Sequence, residues 1–100
     1  MKKLISISVF ISMMLSSLVM YSQKDSISLQ REARKLVREG NKLYNQKKYA
    51  DATISYKKAL EKNSSYTKAT YNLGNSLFQE KNFKEAIPQY KILTENSEDS

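Results

Sequence analysis

The groups that carry most enzyme chemistry are missing from this chain. Among its 100 residues there is no His and no Cys. That removes the common nucleophile–base pairs and the imidazole and thiolate ligands of zinc and haem. It also removes any disulfide and any lipoprotein-type acylation cysteine. A catalytic site would have to be built from Lys, Tyr or paired acids, and no motif gathers them. Asp51 and Glu85 stand at the same separation as Glu61 and Glu95, and that recurrence marks a surface or structural role. Only Gly40, Gly74 and Pro88 supply Gly or Pro, so there is no Gly-rich phosphate loop. The reading is a protein that binds, with no enzyme activity, no metal and no cofactor.

Charge is the second resource. The chain carries a formal net charge of +7, and it is unevenly placed. Between Lys24 and Lys68 twelve Lys/Arg face five Asp/Glu, whereas from Ala69 onward three face five. Arg31, Arg34, Lys35, Arg38 and Lys42 form the densest group. Such a cluster suits an acidic partner, an anionic membrane surface or nucleic acid, and it is also what a solvated helix face looks like. The aromatics stand at core spacing and are not interleaved with the charges for base stacking, which argues against nucleic acid.

Residues 1–22 read as an export signal. Lys2-Lys3 precede an uncharged run from Leu4 to Met20 made of Leu, Ile, Val, Phe, Met and Ser, and polar residues follow. That is the order of a secretory signal peptide. The expected cut lies between Ser22 and Gln23, and the mature chain is then periplasmic. The alternative is an inner-membrane anchor formed by residues 4–20, although that Ser-rich run is short of the ~20 apolar residues a spanning helix needs. Residues 23–27 are expected to be a short linker.

The elements that must position the binding groups follow from a self-match. The shift that carries Gly40-Asn41 onto Gly74-Asn75 also carries Leu43 onto Leu77, Tyr44 onto Phe78 and Tyr49 onto Phe83. Under the same shift Ala52 falls on Ala86, Tyr56 on Tyr90 and Ala59 on Leu93. A period of this length is the sequence mark of stacked helix–turn–helix repeats. Apolar steps of three and four predict helices near Ser28–Gln46, Tyr49–Asn63, Thr67–Lys81 and Phe83–Asn96. Asn82 and Glu85 are spaced as a capping box for the fourth, and Pro88 predicts a local bend in it. One repeat would span residues 28–66 and the next 67–100.

The pattern resembles the tetratricopeptide repeat (TPR) over Ala33–Ser100. Gly40, Tyr49, Ala52, Tyr56 and Ala59 match the family's packing positions in the first repeat. In the second, Gly74, Phe83, Ala86 and Tyr90 match them. Leu36 and Thr70 stand where that family often has Trp, Glu39 replaces an apolar residue, and Ser64 and Glu98 replace the usual Pro. The resemblance implies an all-α fold of two repeats, four antiparallel helices in all, with a glycine that lets the second helix of each repeat approach and aromatics beside the contact. It further implies that the first helix of each repeat lines a concave groove. Arg34, Asn41, Tyr44, Lys68, Tyr71, Asn72, Asn75 and Phe78 would then face a protein or peptide partner, together with Val37, Asn45 and Gln79. Amides would grip the partner's backbone, aromatics would supply contact area, and Arg34 and Lys68 would hold a carboxylate. Some TPR domains hold a C-terminal carboxylate in this way; Asn41 and Asn72 match two of those positions, while Val37 stands where that clamp has Lys. Self-association through the open second repeat is a further expectation.

An export segment followed by EGNKLYNQKKYADATISYKKALEKN and ATYNLGNSLF looks more narrowly like the TPR proteins of bacterial Bat (aerotolerance) operons. That likeness implies an envelope scaffold acting in complex assembly. The competing reading is a basic-surface module bound peripherally to anionic membrane.

Overall fold

The computed structural model describes the backbone of residues 2–98 and the side chains of residue 11 and residues 25–96. Apart from Ile11, the side chains of the expected export segment therefore lie outside the described residues, as does the end of the second repeat at residues 99–100. Four helices follow in order: α1 (Lys2–Asn45), α2 (Tyr49–Lys62), α3 (Thr67–Gln79) and α4 (Phe83–Glu98). There is no strand among the described residues. The all-α class expected from the sequence is what the chain adopts, and all the helix ends but one fall close to expectation.

The start of α1 is the exception. The stretch 23–27, expected as a linker, is helical and continuous with the residues on both sides. Gln23 to Ile27 contain neither Gly nor Pro, and Ser26 and Ser28, of a residue type that often caps a helix, sit inside it. An interior Ser costs only a few tenths of a kcal/mol to about 0.7, too little to interrupt a helix already formed on both sides, where propagation is cheap relative to nucleation.

Two turns end α1 and α3 in the same way. Lys47 and Lys81 have φ of 62° and 64°, the left-handed conformation that usually falls to Gly. The Lys47 N–H donates to the Tyr44 carbonyl and the Lys48 N–H to the Leu43 carbonyl, both at 2.9 Å. At the matching positions of the second pair, Lys81 donates to Phe78 and Asn82 to Leu77, again at 2.9 Å. This pair of bonds is a Schellman cap, which satisfies the last orphan carbonyls of a helix. The turn between α2 and α3 is closed by a side chain: Asn63 Oδ1 accepts from the Ser65 N–H and hydroxyl. Glu85 does not reach back to form a capping box with Asn82; its carboxylate lies 3.4 Å from Lys57 Nζ on α2. Pro88 lies within α4 without ending it. Its ring is exposed, so the helix N–H it removes is lost on the solvent side.

The contacts fix the direction of the pairs. Tyr44 meets Tyr49, Gly40 meets Tyr56 and Glu32 pairs with Lys62 at 3.4 Å. Numbers fall along α1 as they rise along α2, so the two run antiparallel. Phe78 with Phe83 and Gly74 with Tyr90 show the same for α3 and α4. Between the pairs, Ala52, Tyr56 and Ala59 join Ala33, Val37, Ala69, Leu73, Leu77 and Ala86 in one buried cluster. Full burial of a Leu such as Leu73 or Leu77 contributes about 1.5–3 kcal/mol. The joint of α2 with α3 also has a polar centre. Thr53 Oγ1 lies 2.8 Å from Ser76 Oγ and donates to Glu80 Oε2 at 2.7 Å.

Candidate binding cleft

Each helix pair is clasped by a tyrosine, a glycine and an asparagine. A Cβ placed on Gly40 would stand 2.5 Å from Tyr56 Cε1, so the ring lies directly against the helix backbone. The Tyr56 hydroxyl passes beyond the glycine and donates to Asn41 Oδ1 at 2.6 Å. The same arrangement recurs in the second pair. Tyr90 carbons lie 3.0 Å from a Cβ on Gly74, and the Tyr90 hydroxyl donates to Asn75 Oδ1 at 2.6 Å. The sequence predicted that Tyr56 and Tyr90 would fill space beside a close helix contact. They form the contact instead, because a ring is wide enough to use the gap a missing side chain leaves.

The two clasps are not equally closed. Tyr56 is 1% exposed, and burial, with a smaller push from nearby Tyr44, raises its hydroxyl pKa from 10.0 to about 12. Tyr90 is half-buried. Its hydroxyl is shifted upward as well, first by burial and then by Tyr71 and Tyr44. Both remain neutral donors at physiological pH, which suits donation to an amide oxygen.

Asn41 does a second job. Its Oδ1 also accepts from Asn72 Nδ2 at 3.0 Å, linking α1 to α3. Around that link lies a cleft of ≈ 260 Å³ lined by Asn41, Tyr44, Asn45, Tyr56, Asn72 and Asn75. Four amides and two phenols face it, and no charged side chain is among the lining residues. Because Asn41 and Asn75 spend their oxygens on tyrosines, the amide NH₂ groups are what they offer to a ligand. Those groups match acceptors such as backbone carbonyls.

Of the residues expected in a groove, Asn41, Tyr44, Asn45, Asn72 and Asn75 are brought together here. Arg34 and Lys68 do not line the cleft. They lie two helical turns before Asn41 and Asn75, roughly 10 Å along a helix axis, and both are exposed. Tyr71 packs edge-on against Tyr90 at 6.4 Å, and Phe78 against Phe83 at 5.2 Å; both are about half exposed and stand outside the lining. Val37, expected on the groove, is 3% exposed and belongs to the core. The sequence placed Tyr56 in the core only, yet its hydroxyl end reaches the cleft. The signal for that double role was present: a Tyr recurring at the repeat period, where Phe would serve packing alone, needs a partner for its oxygen.

What the fold and cleft define is an all-α chain of two helix pairs whose clasps and turns recur from the first pair to the second. No family model, curated protein or solved structure matches this chain.

Proposed function

We propose that the chain is a TPR-type scaffold that binds an extended segment of a partner protein in the cleft between α1 and α3. The observation that carries this reading is the convergence of Asn41, Asn45, Asn72 and Asn75 on one uncharged cleft held in place by Tyr56 and Tyr90. Amides held by tyrosines need little reordering on binding, and less of the interaction energy is lost to immobilising side chains. A cleft without charge suits main-chain groups better than a charged terminus. The export segment supports an envelope location, and the likeness to Bat-operon TPR proteins adds complex assembly as its setting. Mass spectrometry of the envelope fraction should then give a mature chain beginning at Gln23; full-length protein confined to the cytoplasm overturns the location.

The second reading is peripheral attachment to anionic membrane. It is favoured by Arg31, Arg34, Lys35, Arg38 and Lys42, all of which are exposed on α1. One comparison separates the two. Asn45→Ala with Asn72→Ala should weaken capture of the partner from envelope extract by about 2 kcal/mol, in the hot-spot range. Circular dichroism should stay unchanged, since neither residue belongs to a Tyr–Asn clasp. Replacing Arg34, Lys35 and Arg38 by Gln should mainly alter association rate and salt dependence. Loss of capture with the basic variant alone, together with salt-sensitive sedimentation on vesicles containing phosphatidylglycerol, would move the functional surface to α1.

A further inference from the structure

The turn that joins the two helix pairs carries chemistry that the cleft does not use. Of the asparagines in the chain, only Asn63 has a hydroxyl residue two places after it, in Asn63-Ser64-Ser65. Asn, then any residue but Pro, then Ser or Thr is the acceptor motif for N-linked sugar on surface loops of exported proteins. Here the motif occupies the turn between α2 and α3, outside the buried cluster. Ser64 and Ser65 are exposed and Asn63 is half-buried.

The geometry of the turn adds to the motif. Asn63 Oδ1 accepts from the Ser65 N–H at 3.3 Å and from the Ser65 hydroxyl at 3.0 Å. A backbone N–H only donates, so this end of the amide is the oxygen. The other end, Nδ2, has no hydrogen-bond partner among the described residues. A sugar on Nδ2 leaves the oxygen and both turn bonds in place. It also leaves the bond from the Asn63 backbone N–H to the Ala59 carbonyl untouched. Beside Asn63 and Lys62 opens a hollow of ≈ 570 Å³, bounded on α1 by Asp25, Ser26, Leu29 and Gln30. That is within the range of about 300–1,000 Å³ for small-molecule sites. A carboxylate, a hydroxyl and an amide suit sugar hydroxyls there, and Leu29, 41% exposed, offers an apolar contact to a sugar ring.

We propose that Asn63 is an acceptor for N-linked carbohydrate, with the first sugar resting in the hollow against α1. The proposal rests on the export reading, and its donor is a sugar carried on a polyprenyl diphosphate. Asn63 Nδ2 forms a bond to the anomeric carbon as the bond from that carbon to the diphosphate oxygen breaks. The lipid diphosphate leaves with the electron pair, and a base of the transferase takes the Nδ2 proton. Glu61, exposed and two residues before Asn63, gives a cationic transferase surface a second handle. The cleft stays clear of the sugar. Its lining residue on α2 is Tyr56, about two turns before Asn63 and roughly 10 Å away along the helix axis.

The test isolates the full chain from the envelope of cells that make it and reads two peptides by mass spectrometry. One is the N-terminal peptide, and the other is residues 63–68, released by cleavage after Lys62 and Lys68. The expected result is a chain beginning at Gln23 whose 63–68 peptide is heavier by at least one sugar residue. An amidase specific for the sugar–asparagine bond should remove the added mass and leave Asp at position 63. Asn63→Gln and Ser65→Ala should each abolish the modification, while Ser65→Thr and Ser64→Ala keep it, with circular dichroism unchanged in all four. An unmodified 63–68 peptide in a chain that begins at Gln23 overturns the proposal and leaves the export reading standing. An unmodified peptide in a chain that keeps residues 1–22 overturns both. Sugar that persists in Asn63→Gln lies on a hydroxyl, and that also overturns the proposal.

Discussion

Two glycines in one chain offer an internal control for what a missing side chain does. Gly→Ala inside a helix gains about 1 kcal/mol from propensity, and overpacking costs typically about 1–3 kcal/mol. At Gly40 the new methyl would stand 2.5 Å from the ring of fully buried Tyr56, and the ring has nowhere to go. At Gly74 the distance is 3.0 Å and half-buried Tyr90 can shift outward. Urea denaturation should therefore show Gly40→Ala destabilised by about 1–2 kcal/mol net and Gly74→Ala close to wild type. The same tyrosine sets an alkaline limit. Tyr56 keeps its proton in the folded chain up to about 12, against an ordinary value of 10.0. Between those values the unfolded chain loses a proton that the folded chain retains, so stability falls as pH rises through this window and is fully present below it. Thermal melts of Tyr56→Phe should lose this part of the alkaline decline, while starting about 1 kcal/mol lower because the Asn41 bond is gone. The Tyr–Asn bond was only half legible in the sequence: spacing announced a packing role, but a hydroxyl's partner depends on a facing helix.

Helix existence was legible, and helix boundaries were set by details the sequence states quietly. The ends of α1 and α3 fall at polar stretches without Gly. They turned out to be Schellman caps in which Lys47 and Lys81 take left-handed φ. A left-handed non-Gly residue costs roughly 1–2 kcal/mol, offset here by the capping bonds and by the Tyr44–Tyr49 and Phe78–Phe83 contacts that follow. Lys81→Gly should accordingly raise stability by about 0.5–1 kcal/mol, less than the full strain because Gly also loosens the unfolded chain. A lowered urea midpoint would mean that the Lys81 stem contributes packing worth more than the strain. The stretch 23–27 reads as a linker yet is helical, for the converse reason. Ser residues look like caps in a list, but a cap needs a chain that leaves the helix direction, and nothing there makes it leave.

At the scale of the molecule, repetition made most of the cleft readable. Asn41, Tyr44, Asn45, Asn72 and Asn75 are legible because amides and aromatics recur on the first helix of each pair. Arg34, Lys68, Tyr71 and Phe78 were placed with them by the same periodicity, yet they stand apart from the lining. The repeat period fixes which helix a residue is on and leaves its neighbours across the gap undetermined. Two exposed positions follow the same rule. Lys42 and Ile87 are exposed, although the repeat makes them equivalent to buried Ser76 and Thr53.

The clasps also bear on time. Each Tyr–Asn bond joins residues only 15 apart in the chain, across one tight turn. Loops of about ten residues close in roughly 10–100 ns, and helical topologies dominated by local contacts fold in microseconds to milliseconds. The ring contact and hydrogen bond of the α1–α2 clasp use only Gly40, Asn41 and Tyr56. The clasp can form while the rest of the chain is still being made, and the order in which the pairs assemble is then the order in which they leave the ribosome.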